Sequence, residues 1–221
     1  MRKSVDSLKV EVKRSKFDID EMIKRLEVEH PNAVCELNHS SVFELLVAVT
    51  LSAQCTDKRV NMVTEKLFKV YNTPEQFANM DIDELISYIR PCGFFNNKAK
   101  AIIESSMSIV NDFNGQVPDN IPDLMKLKGV GRKTANVVYS VGFGGDAFAV
   151  DTHVFRVSNR IGLVHESNVE NTEKALMELV PQDKWVKLHH LLIHHGRYTC
   201  KARVPMCNDC LIADMCEHLK R

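Results

Sequence analysis

Four of the seven cysteines fall in the last 22 residues, at Cys200, Cys207, Cys210 and Cys216. The first 16 residues are polar and basic and lack the apolar stretch of a secretory signal. A reducing compartment is therefore expected, and there thiols seldom pair as disulfides. Four thiols in one tail then imply a bound metal or an iron–sulfur cluster. The spacing is C-x6-C-x2-C-x5-C. Zinc sites favour two short cysteine pairs with a longer gap between them. One compact loop offering four thiolates suits a single iron–sulfur cube better.

The rest of the chain has globular proportions: 221 residues, 44% hydrophobic and 26% charged, with only 9 Gly and 7 Pro. That length suits one domain or two small ones. Lys+Arg and Asp+Glu both total 29, so net charge is no argument for a nucleic-acid partner, although a local patch would be. The longest apolar run, Leu45 to Ala53, is too short to span a bilayer. No membrane association is expected, and the expected location is cytoplasmic (with the nucleoid in a prokaryote).

Apolar residues recur with helical period almost throughout. Asp18 with Glu21, and Ser41 with Glu44, have capping-box spacing ahead of helices beginning near residues 19 and 42. A third helix runs from about Asp57, with Val60, Val63, Leu67 and Val70 on one side. Shorter pieces follow at 74–79 and 83–89, then a long helix over 97–113 that stops at Asn114-Gly115. Further helices are expected over 121–127, 133–143, 152–161, 172–180 and 184–195. Ala147 to Val150 could form a short strand. Nothing else alternates with period two, so the fold class is all-α with short connections.

Leu127-Lys128-Gly129-Val130-Gly131-Arg132-Lys133-Thr134 joins two of these helices. Two glycines allow positive φ and close backbone approach. N–H groups at such a turn, backed by a helix dipole, form an anion site. Lys126, Lys128, Arg132 and Lys133 surround it, with no acid between Leu124 and Gly145. A plain tight turn with solvated lysines is the alternative. Lys133 begins a helix, where a cation is disfavoured, and a neutral amine is the nucleophilic form. Asp151 precedes another helix and reads equally as an ordinary N-cap.

Four segments together resemble the endonuclease III family of DNA glycosylases. Ile121 to Val138 is similar to its helix–hairpin–helix, and Val150-Asp151-Thr152-His153 to its catalytic aspartate segment. Leu51-Ser52-Ala53-Gln54 and the cysteine tail match as well, so the resemblance spans about residues 17 to 216. Lys128 departs from it, since the family usually has Pro there. The resemblance implies a bifunctional glycosylase/lyase in which Lys133 attacks C1′ of a damaged nucleotide and Asp151 offsets charge on the sugar. Related adenine-removing glycosylases lack this lysine. It implies oxidised pyrimidines and abasic sites in double-stranded DNA as substrates, and a 4Fe-4S cluster on Cys200, Cys207, Cys210 and Cys216. Gln54 and a wedge from Gly93-Phe94-Phe95, taken as Phe94, would fill the space of the extruded base. Lys128, Gly129, Val130, Gly131 and Arg132 would grip phosphate, with His153, Lys201 and Arg203 as further DNA contacts.

The implied architecture has two domains. Residues 35–145 form a central helical domain whose helix–hairpin–helix spans about 121–143. Residues 17–34 plus 146–221 form a second one with the cluster loop at 200–216, behind a basic tail at 1–16. A monomer is expected. Between Asp183 and Asp209 there is no acid, so Lys184, Lys187, Arg197, Lys201 and Arg203 suggest a basic patch. His189, His190, His194 and His195 invite a metal reading but are better explained by packing and phosphate contacts. Two other readings remain: a mismatch-directed glycosylase of the same superfamily, and a non-catalytic hairpin module that only grips phosphate.

Overall fold

The computed structural model describes residues 18–220; the basic tail at 1–16 lies outside them. Eleven α-helices follow in order: α1 (Ile19–Glu29), α2 (Val42–Ser52), α3 (Asp57–Leu67), α4 (Pro74–Ala78), α5 (Ile82–Ile89), α6 (Phe95–Asp112), α7 (Ile121–Leu124), α8 (Arg132–Val137), α9 (Thr152–Ile161), α10 (Val169–Leu179) and α11 (Trp185–Tyr198). Among the described residues there is no strand.

Two hydrophobic cores organise these helices. Helices α2 to α8 supply the first, from Leu37 to Val138 in sequence. Helix α2 is its axis: Phe43, Leu45 to Val49 and Leu51 are all buried, as expected of a helix apolar on every side. The second core joins Met22, Ile23 and Leu26 of α1 to α9, α10, α11 and the cysteine tail. Helices α9 and α11 pack closely because Gly196 leaves room: a Cβ there would lie 3.0 Å from the His153 Cβ and 3.1 Å from Val157.

Side-chain caps start most helices. Asp18 accepts from the Glu21 N–H and Ser41 from the Glu44 N–H. Each is half of the expected box, since Glu44 turns instead to the Ser40 N–H and hydroxyl, at 2.6 and 2.7 Å. The reciprocal box forms at Thr73 and Gln76. Helix α3 ends at Leu67, three residues before Val70, which is exposed. The helix after the hairpin changes register. Its α-helical part ends at Val137, and Val138–Gly142 continue as a π-helix.

The strand suggested at Ala147 to Val150 does not form. These four residues are buried, and pairing is replaced by side chains. Asn136 Nδ2 donates to the Phe148 carbonyl at 3.3 Å, and His189 Nδ1 lies 2.6 Å from the Ala149 carbonyl. Buried carbonyls must find donors, and here the two cores each supply one.

At the hairpin, Gly129 has φ +77°, and a Cβ on it would lie 2.7 Å from the Ala101 Cβ of α6. Gly131 has an ordinary φ of −87° and open space around it. Gly129→Ala is expected to cost about 2–4 kcal/mol from left-handed strain plus overpacking. Gly131→Ala should cost about 1 kcal/mol or less, as a change of N-cap residue. Urea unfolding midpoints of the two variants test this difference.

Candidate active site

A cleft of about 590 Å³ is lined by residues from both cores. Lys133, the second residue of α8, is exposed in it. Asp151, the N-cap of α9, lines the same cleft with Gln54 and His153. Asp151 Oδ1 accepts from the His153 and Val154 N–H groups, both at 2.8 Å. Among the described residues no hydrogen bond to its other oxygen is formed. The cap reading of Asp151 is therefore met, and it leaves one carboxylate oxygen for other work. Asn136 stands one turn beyond Lys133 on the same helix and holds the Phe148 carbonyl, so one side chain ties the lysine's helix to the aspartate's segment.

The hairpin cations divide into two groups. Lys126 pairs with Asp123 at 2.6 Å, and Arg132 grips the buried Glu173 through Nη2 at 2.7 Å and Nε at 2.8 Å. Lys128 and Lys133 make no ion pair among the described residues. The Val130 side chain is buried and its N–H donates to the Leu127 carbonyl at 3.1 Å, so its donor is already used. No side chain caps α8, which leaves the first N–H groups of that helix for another acceptor.

The patch expected over residues 184–203 is smaller than its sequence suggests. Lys184 pairs with Asp20 and Lys187 with Glu27. Arg197 pairs with Glu36 and, at 2.7 Å, with Asp57. Burial works against charge on Arg197, but Asp57 and Glu36 outweigh it and hold the guanidinium above its ordinary value. Lys201 and Arg203 are exposed and without an ion pair among the described residues.

Gln54 and Phe94 have φ of 52° and 56°, a left-handed conformation uncommon for residues other than glycine. Both are exposed, Phe94 at 64%. Phe95 packs against the first core, so Phe94 is the aromatic ring presented outward. Helix α6 starts at this residue without a side-chain cap. The two loops meet: a Cβ on Gly93 would lie 3.7 Å from the Gln54 carbonyl oxygen.

The four tail cysteines line one cavity. Arg160 Nη1 lies 3.5 Å from Cys200 Sγ and donates to the Lys201 carbonyl at 2.7 Å. His195 Nε2 lies 3.8 Å from Cys210 Sγ. Burial pushes the Cys210 thiol up to about 11 and raises that of Cys216. His189, His194 and His195 are buried, so contact with phosphate falls away for them and packing remains. His195 does join His30, also buried, and the half-buried Glu29 in a trio whose ligand atoms lie within 4.8 Å of one another.

The chain matches the family described as HhH-GPD superfamily base excision DNA repair protein over residues 47–182. It is 48% identical over 201 residues to endonuclease III of Haemophilus influenzae, covering 91% of this chain and 95% of that one. It is 51% identical over 187 residues to endonuclease III of Bacillus subtilis, covering 84% and 85%. The chain belongs to the endonuclease III family. A solved structure titled as a trapped endonuclease III–DNA covalent intermediate superposes with a TM-score of 0.88 at 46% identity, covering 93% of this chain and 97% of that one. This endonuclease III family member is a base excision repair enzyme, a DNA glycosylase with abasic-site lyase activity acting on damaged bases. No helix among the described residues is long and apolar enough to cross a membrane.

Sequence reasoning missed Asn136 and the Arg197–Glu36–Asp57 group, and it read His189 as packing or a phosphate contact without finding its Ala149 partner. Only Arg197 carried a signal, as one cation in an acid-free run. Glu36 and Asp57 reach it through tertiary packing, which no local spacing reports. Burial and His190, outweighing Asp151 and the Ala149 carbonyl, pull His189 down to about 3, and burial pulls His190 down to about 4. An unfolded histidine titrates near 6.5. Below that pH the unfolded chain takes up protons that the folded one refuses, so stability should fall as pH drops from about 6.5 toward 3. His189→Gln should make that limb shallower in urea midpoints measured against pH.

Proposed function

We propose that this chain removes oxidised pyrimidines such as thymine glycol from duplex DNA and cuts abasic sites, with Lys133 as nucleophile and Asp151 as its electrostatic and proton-transfer partner. The observation that carries this reading is the single cleft lined by both residues, one from each side of the segment that Asn136 and His189 hold. Lys133 Nζ attacks C1′, the base leaves with a proton, and a Schiff base forms. Loss of the C2′ proton then expels the 3′ phosphate by β-elimination, and water releases the lysine. The second Asp151 oxygen faces the developing positive charge on the sugar. Both residues come from one chain, so a monomer suffices.

Gln54 and Phe94 fill the space of the extruded nucleotide, and their exposure in a strained backbone supports that role. Lys128, the N–H groups around Gly129, Gly131 and Arg132, and the free pair Lys201 and Arg203 contact phosphate. His153 lines the pocket. Residues 35–145 and 17–34 plus 146–221 act as two lobes with the duplex between them.

The tail cysteines hold a 4Fe-4S cluster. Tetrahedral zinc, with Zn–S near 2.3 Å, would bring its sulfurs to about 3.8 Å of one another. Among the described residues the group with ligand atoms within 4.8 Å is instead Glu29, His30 and His195. Four thiols around one cavity, within one short loop, support a cluster. Arg160 and His195 supply donors to two of its sulfurs. When bound, the cluster supplies four metal–thiolate bonds that fix the loop carrying Lys201 and Arg203. The purified protein should contain roughly four irons with matching sulfide; stoichiometric zinc without iron would overturn this assignment.

The catalytic pair is tested by separating its members. Borohydride should trap a covalent adduct between the protein and an abasic duplex, and Lys133→Gln should abolish that adduct while retaining affinity. Asp151→Asn keeps an N-cap acceptor, so its melting temperature should hold. Its base release should slow by on the order of 10², with abasic-site cleavage less affected. Unchanged base release together with a lower melting temperature would make Asp151 a cap only.

A further inference from the structure

Cys55 follows Gln54, and Cys92 stands two residues before Phe94. The two segments are joined on every side. Lys98 Nζ, buried, donates to the Leu51 carbonyl at 2.8 Å, and Arg59 Nη1 reaches the Pro91 carbonyl at 3.5 Å. The Gln54 carbonyl sits against Gly93. Between these contacts the Cys55 and Cys92 thiols are near enough to act on each other, and neither is in a disulfide. They differ in access: Cys92 is fully buried, whereas Cys55 is half-buried and lines the cleft.

We propose that Cys55 and Cys92 form a peroxide-sensitive dithiol whose disulfide ties the Gln54 loop to the Phe94 loop and weakens binding to damaged DNA. The reactive order follows access. The Cys55 thiolate attacks hydrogen peroxide, the O–O bond breaks, and a sulfenic acid forms while the departing hydroxide takes a proton and leaves as water. The Cys92 sulfur then attacks the Cys55 sulfur. The S–S bond forms, the S–O bond breaks, and the hydroxyl leaves as a second water with the Cys92 proton. Two thiols give two electrons to one peroxide. Lys98 and Arg59 face Cys92 and work against the larger push of burial on its thiol. Burial alone pushes the Cys92 thiol up, and with Cys55 beside it the value reaches about 11, which suits Cys92 to the second, resolving step.

A disulfide brings the two sulfurs to about 2.05 Å, closer than any hydrogen bond between them. It draws Cys55, and Gln54 with it, toward the Phe94 loop. This effect rests on the reading of Gln54 and Phe94 as the residues that enter the duplex, since two side chains flanking a gap must part to admit a base pair.

The test uses the full chain with its prosthetic group. Protein is titrated with hydrogen peroxide, mapped by mass spectrometry without reduction, and assayed for affinity to an abasic duplex. The wild type and Cys35→Ser should each yield a linked Cys55–Cys92 peptide and bind about ten-fold more weakly. Dithiothreitol should restore both. Cys55→Ser and Cys92→Ala should form no such peptide and keep their affinity. Absence of the link at every dose below that which bleaches the cluster would overturn the proposal. So would a link that forms with affinity unchanged. Failure of the reduced wild type to bind the duplex would strike at the duplex reading itself, while the peptide map still reports on the dithiol.

Discussion

Two buried carbonyls, those of Phe148 and Ala149, govern how the rest of this molecule is arranged. The segment that carries them leaves the first core and enters the second without a strand partner. Unpaired and dry, each carbonyl would cost about 1–3 kcal/mol. Asn136 answers one from the helix of Lys133, and His189 answers the other from α11. The same two bonds set where Asp151 emerges. Satisfying the backbone and placing Asp151 in the cleft that Lys133 also lines are thus a single structural act, and neither Asn136 nor His189 needs to touch a substrate to matter.

Charge is handled in a related way. The chain has no net charge, and its internal ion pairs are not decoration on a uniform surface. Pairs such as Arg132–Glu173, Lys187–Glu27 and Arg197–Asp57 withdraw cations from segments that look basic in sequence. Within the hairpin and the cysteine loop, Lys128, Lys133, Lys201 and Arg203 make no ion pair among the described residues. A neutral protein can hold a polyanion where unpaired cations stand beside backbone donors, as at the hairpin.

The helical class and most helix positions were legible in the sequence, because each rests on local signals; Lys133 and Asp151 stood out from a solvated lysine and an ordinary cap only through the family resemblance. Apolar spacing gave α2 and α6, and cap residues gave the starts of α1, α2 and α9. The glycines at 129 and 131 marked the turn. The exposed Val70, the π-turn at Val138–Gly142 and the unpaired segment at 147–150 were not legible, because tertiary packing decides them. The ion partners of Arg132 and Lys187 lie 41 and 160 residues away. Phe94 and Phe95 are identical as letters, and only the fold turns one outward and the other in.

The second core draws on both ends of the chain, whereas the first is built from one unbroken stretch. On a ribosome these would mature at different times. Helices α2 to α8 can close on themselves as soon as they emerge, since their contacts are made within that stretch. Helix α1 is synthesised first but has nothing to pack against until α9 and α11 arrive. The nascent chain would therefore hold a finished hairpin with Lys133 while Asp151 still awaits its setting, and the four thiols follow both. A cleft lined by both cores would take shape only after α11 has emerged, an order of assembly written into the connectivity of the helices.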